Sequence, residues 1–357
     1  MSLALLLGGV NAGCARSGQG RAAAAAPAPP AEGTGTAGAP VQVWRAKTGR
    51  RFTGRMVVAG ETIFGGSVDR KVYAVSLADG ETQWSARLGG LIAGGVLVEA
   101  DTVYAASSRP EGKVYALNAR TGRRLWRTST GPVGAPLTLV GGLVIAETQR
   151  GVVVALDSRS GTVRWRRRVG VSRIPAVPAD GGTILVATVD SLFRVSAKDG
   201  KIVRRARSPG SIVSPWIEHR GLLLAGTTDS LVIALEPREL RSRWRATLDA
   251  PVLGSPAAVG DTLYAVTRRG TLYRISMDSA AVATPVAELH WPVTAPVTVV
   301  DGLVLLGGAD GILRALRPDG TEAWRLQLRW PVELGPLPLA DGILAIGGDG
   351  DLHRYRR

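Results

Sequence analysis

The residues able to do covalent or metal chemistry in this chain are few. Histidine occurs three times, as His219, His290 and His353, and cysteine once, as Cys14. No two histidines share a ligand-type spacing, so the pattern points to no zinc site. One cysteine permits neither an intrachain disulfide nor a paired-thiol centre. No serine, histidine and aspartate assemble into a nucleophilic group. The reading is of a chain that binds and does not catalyse, with no catalytic residue, metal or cofactor assigned.

Cys14 has a chemistry of its own. Leu3-Ala4-Leu5-Leu6-Leu7, continuing to Val10, is apolar but too short to span a bilayer. It reads as the hydrophobic part of a signal peptide. Ala12-Gly13-Cys14 follows and resembles the bacterial lipobox, in which the chain is cut on the N-terminal side of a cysteine that becomes diacylated. Asn11 stands where that motif prefers leucine, and no Lys or Arg precedes the run. The expectation is a signal peptide and lipobox over 1–14, with a lipid on Cys14. The alternative is ordinary signal cleavage. Residues 15–40 are mainly Ala, Pro, Gly, Thr and Ser without apolar periodicity, which predicts a flexible tether.

Recognition chemistry is better represented. Trp291-Pro292-Val293 and Trp330-Pro331-Val332 repeat one tripeptide 39 residues apart, with His290 beside the first and Arg329 beside the second. Tryptophan and arginine dominate interface hot spots. Trp291, Trp330, Arg329 and His290 are therefore the candidate partner-binding residues, unless each ring folds under its own loop.

A repeat sets where these residues stand. Val114-Tyr115-Ala116-Leu117-Asn118 is followed by Thr121-Gly122 and Trp126. The same frame recurs at Val72–Val75 with Trp84, at Val153–Asp157 with Trp165, and at Leu192–Val195 with Arg204 in the tryptophan position. It continues at Val232–Leu235 with Trp244, Leu272–Ile275, Leu313–Leu316 with Trp324, and finally Leu352–Tyr355. Eight copies at about forty-residue spacing match a four-stranded propeller blade. The sixth copy is degenerate, lacking the glycine turn and carrying Pro285 near the tryptophan position.

Each copy divides into four short strands with hairpin-type turns. The last copy ends at Arg357 without its fourth strand, and Val41-Gln42-Val43-Trp44 at the front is in phase with the series. The predicted fold is all-β: an eight-bladed propeller over 41–357, closed by pairing the N-terminal strand with the last blade. Trp44, Trp84, Trp126, Trp165, Trp244 and Trp324 are structural in this reading. Asp69, Asp190, Asp229, Asp310 and Asp349 recur between second and third strands. They suit turn formation, with a partial carboxylate ring as the alternative.

The Val-Tyr-Ala-Leu-Asn/Asp, Thr-Gly, Trp segment resembles the PQQ-like repeat. With the lipobox-like cysteine, the linker and eight blades, the chain is similar to the BamB family of outer-membrane assembly lipoproteins. The resemblance implies tryptophans packed between blades and a periplasmic position at the outer membrane. It also implies protein partners, among them the outer-membrane β-barrel assembly machinery, joined by one propeller per complex. Two other readings remain: a ligand- or glycan-binding propeller, and a quinoprotein dehydrogenase. The second family carries a vicinal cysteine pair near its quinone, which a single cysteine at 14 cannot supply.

The formal net charge is +15, mostly from arginine. It favours anionic partners, but no nucleic-acid motif accompanies it. Arg166-Arg167-Arg168 and Arg204, Arg205 and Arg207 fall on or just after fourth strands, the outer rim of a propeller. A solvated rim and contact with acidic lipid or glycan are both open.

Overall fold

The structure is a computed structural model that describes residues 38–48, 51–108, 112–172, 174–278 and 281–357. Cys14, the expected signal segment and most of the expected linker lie outside these residues. The described chain is all-β, with thirty-two strands in eight four-stranded antiparallel sheets. Each sheet is one blade, with strands a to d in order. Blade 1 comprises Phe52–Ala59, Thr62–Ser67, Lys71–Ser76 and Thr82–Arg87. Blade 8 takes Leu337–Leu339, Gly342–Ile346 and Leu352–Arg356 from the C-terminus and Val41–Ala46 from the N-terminus. That fourth strand pairs antiparallel with Leu352–Arg356, setting Arg45 opposite His353. The closure expected from the unfinished last repeat is therefore present.

The c strands explain the tyrosine–alanine–leucine pattern. Their side chains alternate, and both faces are buried against neighbouring blades. Val153 and Ala155 join the core shared with blade 4, while Val154 and Leu156 join the core shared with blade 2. There are eight such cores, one at every blade junction, including one between blades 8 and 1 built from Leu344, Ile346, Leu352, Phe52 and Ile63. β-branched and aromatic residues fit such two-sided strands.

The alanine of the pattern is small because a tryptophan stands across from it. Ala74 pairs with Trp84, Ala116 with Trp126, Ala155 with Trp165, Ala234 with Trp244 and Ala315 with Trp324. A register shift follows each pair and turns the strand at that point. The indole then reaches the c–d turn of the next blade. Trp84 Nε1 donates to Ala119 O at 2.8 Å, Trp126 to Ser158 O at 3.0 Å, and Trp165 to Ala197 O at 2.7 Å. Trp44 does the same to Leu77 O at 3.0 Å across the closing junction.

The turn glycine is required on two counts. Gly161 has φ +72°, and a Cβ there would lie 2.5 Å from the Trp126 ring. The degenerate sixth repeat shows the converse. Its c–d turn has no glycine, and the Trp244 N–H is buried without a protein partner. Pro285 is tolerated because it lies on the outermost strand, Ala283–Glu288. Ala39, just before the first strand, packs against the blade 7–8 core.

Two buried titratable groups couple the fold to pH in opposite senses. His353 is stacked on Tyr355 at 6.3 Å in the closing blade, where burial and then the Arg45 charge lower its pKa from 6.5 to about 4. Glu147 ends strand b of blade 3, Leu143–Glu147, and accepts the Ala176 N–H from blade 4. Burial raises its pKa to about 7. Between pH 6.5 and 4 the unfolded chain binds more protons at His353, so that contribution falls as pH falls. Between pH 4.5 and 7 the folded chain keeps a proton on Glu147 that the unfolded chain loses, so that contribution falls as pH rises.

Denaturant midpoints at pH 5 and 7 should separate these two. His353→Phe is expected to make the protein relatively more stable at pH 5, and Glu147→Gln relatively more stable at pH 7, each by about 1–3 kcal/mol. Identical pH profiles for both variants and the parent would contradict this. The tryptophan–glycine contact is testable by thermal unfolding. Gly161→Ala should cost about 2–4 kcal/mol. Gly141→Ala, also at positive φ (+53°) but with no atom within 4 Å of the added Cβ, should cost about 1 kcal/mol. Equal costs would remove the contact from the account.

Candidate interaction face

The antiparallel order of a blade puts its b–c turn and the connection from the preceding blade on one face of the ring. The a–b and c–d turns lie on the other. The recurrent aspartates and both Trp-Pro-Val segments therefore share a face. Here the aspartates act chiefly within their own turns. Asp69, Asp310 and Asp349 accept the backbone N–H two residues on, from Lys71, Ile312 and Asp351. Burial pushes Asp69 up, but hydrogen bonds from Tyr73, Ser67 and the Lys71 N–H outweigh it and hold the carboxyl below its ordinary range. Asp229 accepts the Ser211 N–H at 2.6 Å from the neighbouring connection. No group of three or more potential metal ligands occurs among the described residues.

The two matched tryptophans have different surroundings. Trp291 is half-buried, with the Arg314 guanidinium 4.2 Å from its ring centre. Asp310 holds Arg314 in turn at 2.6 Å, and Arg314 is itself buried. The result is an Asp310–Arg314–Trp291 column that fixes the indole. Blade 8 places Asp349 where blade 7 has Asp310, but has no arginine in a position equivalent to Arg314. Trp330 is 44% exposed, with Arg329, also exposed, 5.8 Å from its ring. His290 is exposed beside Trp291.

A cavity of about 920 Å³ opens next to this group. His290, Trp291, Arg268, Arg269, Leu253 and Glu333 are among its lining residues. Glu333 is tied to Arg51 at 2.6 Å, linking the blade 8 connection to blade 1. The candidate residues His290 and Trp291 are thus brought together, whereas Trp330 and Arg329 stand one blade away on the same face.

Further apolar residues on this face escaped the sequence reading. Val68, Leu91, Val171, Val189 and Leu253 are exposed in b–c turns or blade connections. Val171, Val189 and Val213 line a second hollow of about 200 Å³ between blades 4 and 5. Nothing in a single valine marks it as exposed. The signal lay in their common position in the repeat frame. The six tryptophans of the repeat frame pack into cores at blade junctions, away from this face.

The family model described as "Outer membrane protein assembly factor BamB" matches residues 37–174, 110–214, 149–279 and 212–331 in overlapping segments. No curated protein sequence matches the chain. Among solved structures, BamB from Moraxella catarrhalis superimposes with a TM-score of 0.75 at 18% identity, covering 89% of this chain and 98% of that one. Sqt1 of Saccharomyces cerevisiae gives 0.72 at 11% identity, over 89% and 99%. A quinohemoprotein alcohol dehydrogenase from Pseudomonas putida gives 0.68 at 12% identity, over 88% and 76%. At these identities the superpositions establish the propeller fold alone. The family match spans most of the chain, and the protein is a member of the BamB family of PQQ-like repeat propellers.

Proposed function

We propose that this chain is a non-catalytic scaffold of the bacterial envelope that holds protein partners during outer-membrane β-barrel assembly. One observation carries the proposal. Exposed apolar side chains, together with Trp330 and Arg329, gather on the loop face of a closed ring. Such a mixture suits docking of another protein's surface. Family membership supports the same reading. In this reading Cys14 carries the lipid that keeps the propeller on the periplasmic side of the outer membrane. The chain acts as one propeller within a larger complex and uses no cofactor.

A second reading is a small ligand or glycan in the 920 Å³ cavity, favoured by Trp291 and His290 in its lining. Co-purification from detergent-solubilised envelopes separates the two. Recovery of the barrel-insertion machinery is expected, whereas its absence together with a bound glycan would favour the second. Trp330→Ala with Arg329→Ala should weaken that recovery at least about tenfold while leaving the melting temperature within a few degrees. Unchanged recovery would exclude this patch. Cys14→Ala should move the protein from the membrane to the soluble fraction, and unchanged partitioning would refute the anchor.

A further inference from the structure

The positive charge of this protein is unevenly placed. Residues 120–247 contain 22 of the 44 Lys and Arg and only nine of the 29 Asp and Glu, a net +13 against +15 for the whole chain. A uniform compositional preference for arginine would spread the excess over the ring, and this excess is confined.

The fold turns that stretch of sequence into a surface. The d strands of blades 2 to 5 are Arg124–Ser129, Val163–Arg168, Ile202–Arg207 and Arg241–Thr247. They are the outer edge strands of four consecutive blades. Together they hold twelve arginines and no acidic residue, and eleven of the twelve are exposed. The d strands of blades 6, 7, 8 and 1 hold three arginines and two glutamates. Of those three, Arg45 is paired with Asp351 and Arg325 with Glu322, both at 2.6 Å.

On the basic half the charges are mostly unneutralised. Arg164 meets Asp157 at 2.8 Å and Arg204 meets Glu239 at 3.1 Å. Among the described residues, the other ten have no carboxylate within 4 Å, and Arg127, Arg207, Arg243 and Arg245 make no side-chain hydrogen bond. Like charges so close repel, which is a standing cost unless a counter-charge is met.

Apolar side chains stand among these arginines. Leu125, Ile202 and Val203 on the same wall are exposed by 45%, 43% and 57%. Basic residues interleaved with exposed aliphatics match the boundary of a bilayer, where headgroup phosphates meet acyl chains. The wall is broad and convex, and presents no helix or two-stranded ribbon of the kind that enters a nucleic-acid groove.

We propose that the outer wall of blades 2 to 5 docks on an anionic phospholipid surface. This contact is separate from the loop face and independent of any lipid on Cys14. It would lay the ring edge-on to the membrane and leave the loop face open to protein.

The test uses the full chain carrying Cys14→Ser, so that no acyl anchor contributes. Co-sedimentation is measured with phosphatidylglycerol-rich vesicles and with phosphatidylcholine vesicles. Binding to the first and not the second is expected, and it should be lost at roughly 1 M salt, where the screening length is about 3 Å. The combined variant Arg127→Gln, Arg207→Gln, Arg243→Gln and Arg245→Gln should bind at least about tenfold more weakly, given the attraction contributed by each basic residue near an anionic surface.

A control variant, Arg268→Gln, Arg269→Gln, Arg274→Gln and Arg317→Gln, removes equal charge from exposed positions of blades 6 and 7. It should retain most of the binding. Circular dichroism and melting temperature establish that both variants are folded. Equal binding to both vesicle types, equal losses in both variants, or capture of only acidic protein or nucleic acid would overturn the proposal.

Discussion

The pairing of Val41–Ala46 with Leu352–Arg356 is the interaction on which the rest of the ring depends. Without it blade 8 would have three strands and an exposed edge, a template for unwanted pairing. Trp44 would also be absent from the turn after Leu77, and the blade 8–1 core would lose its outer cover. An ion pair marks the junction. Arg45 meets Asp351 at 2.6 Å, both side chains being nearly buried, so the two ends of the sequence are joined by charge as well as by the strand ladder. A ring of units that contact only their neighbours has no free ends once closed, and each blade is then held from both sides.

That constraint explains the distribution of chemistry. Blade faces are consumed by packing, and the structural tryptophans are consumed by the turn glycines they cover. What remains for recognition is the two rims and the outer wall. The b–c turns and blade connections are short and stiffened by their aspartates, so side chains such as Trp330 and Val189 are presented at low ordering cost. The Asp310–Arg314–Trp291 column shows the same principle: a buried guanidinium positions an indole that lines the cavity. His219, His290 and His353 lie dispersed among different blades.

Much of the fold was legible because a repeated sequence reports its own period. Tyr115 and Ala116, with Gly122 and Trp126, fix one blade, and seven further copies fix the count. The unfinished last copy even located the closing strand. The site was less legible. Trp291 and Trp330 occupy identical positions in the repeat, yet Arg314 covers one and nothing comparable covers the other, because that contact depends on a residue from a different strand. Glu147 carries no mark in the sequence, because its burial comes from the next blade's Ala176 segment. The arginine clusters at 166–168 and 204–207 already pointed to the outer rim in the sequence, but that the basic excess runs over four consecutive d strands shows only once the blades are placed.

The claim that the chain is one closed ring is tested most directly by hydrogen exchange resolved along the sequence. If the N-terminal strand completes blade 8, amides of 352–356 should exchange as slowly as those of an interior c strand such as 114–118, and should become fast when residues 41–46 are deleted. Fast exchange at 352–356 in the intact protein, or slow exchange that survives the deletion, would contradict a ring closed by its own two ends.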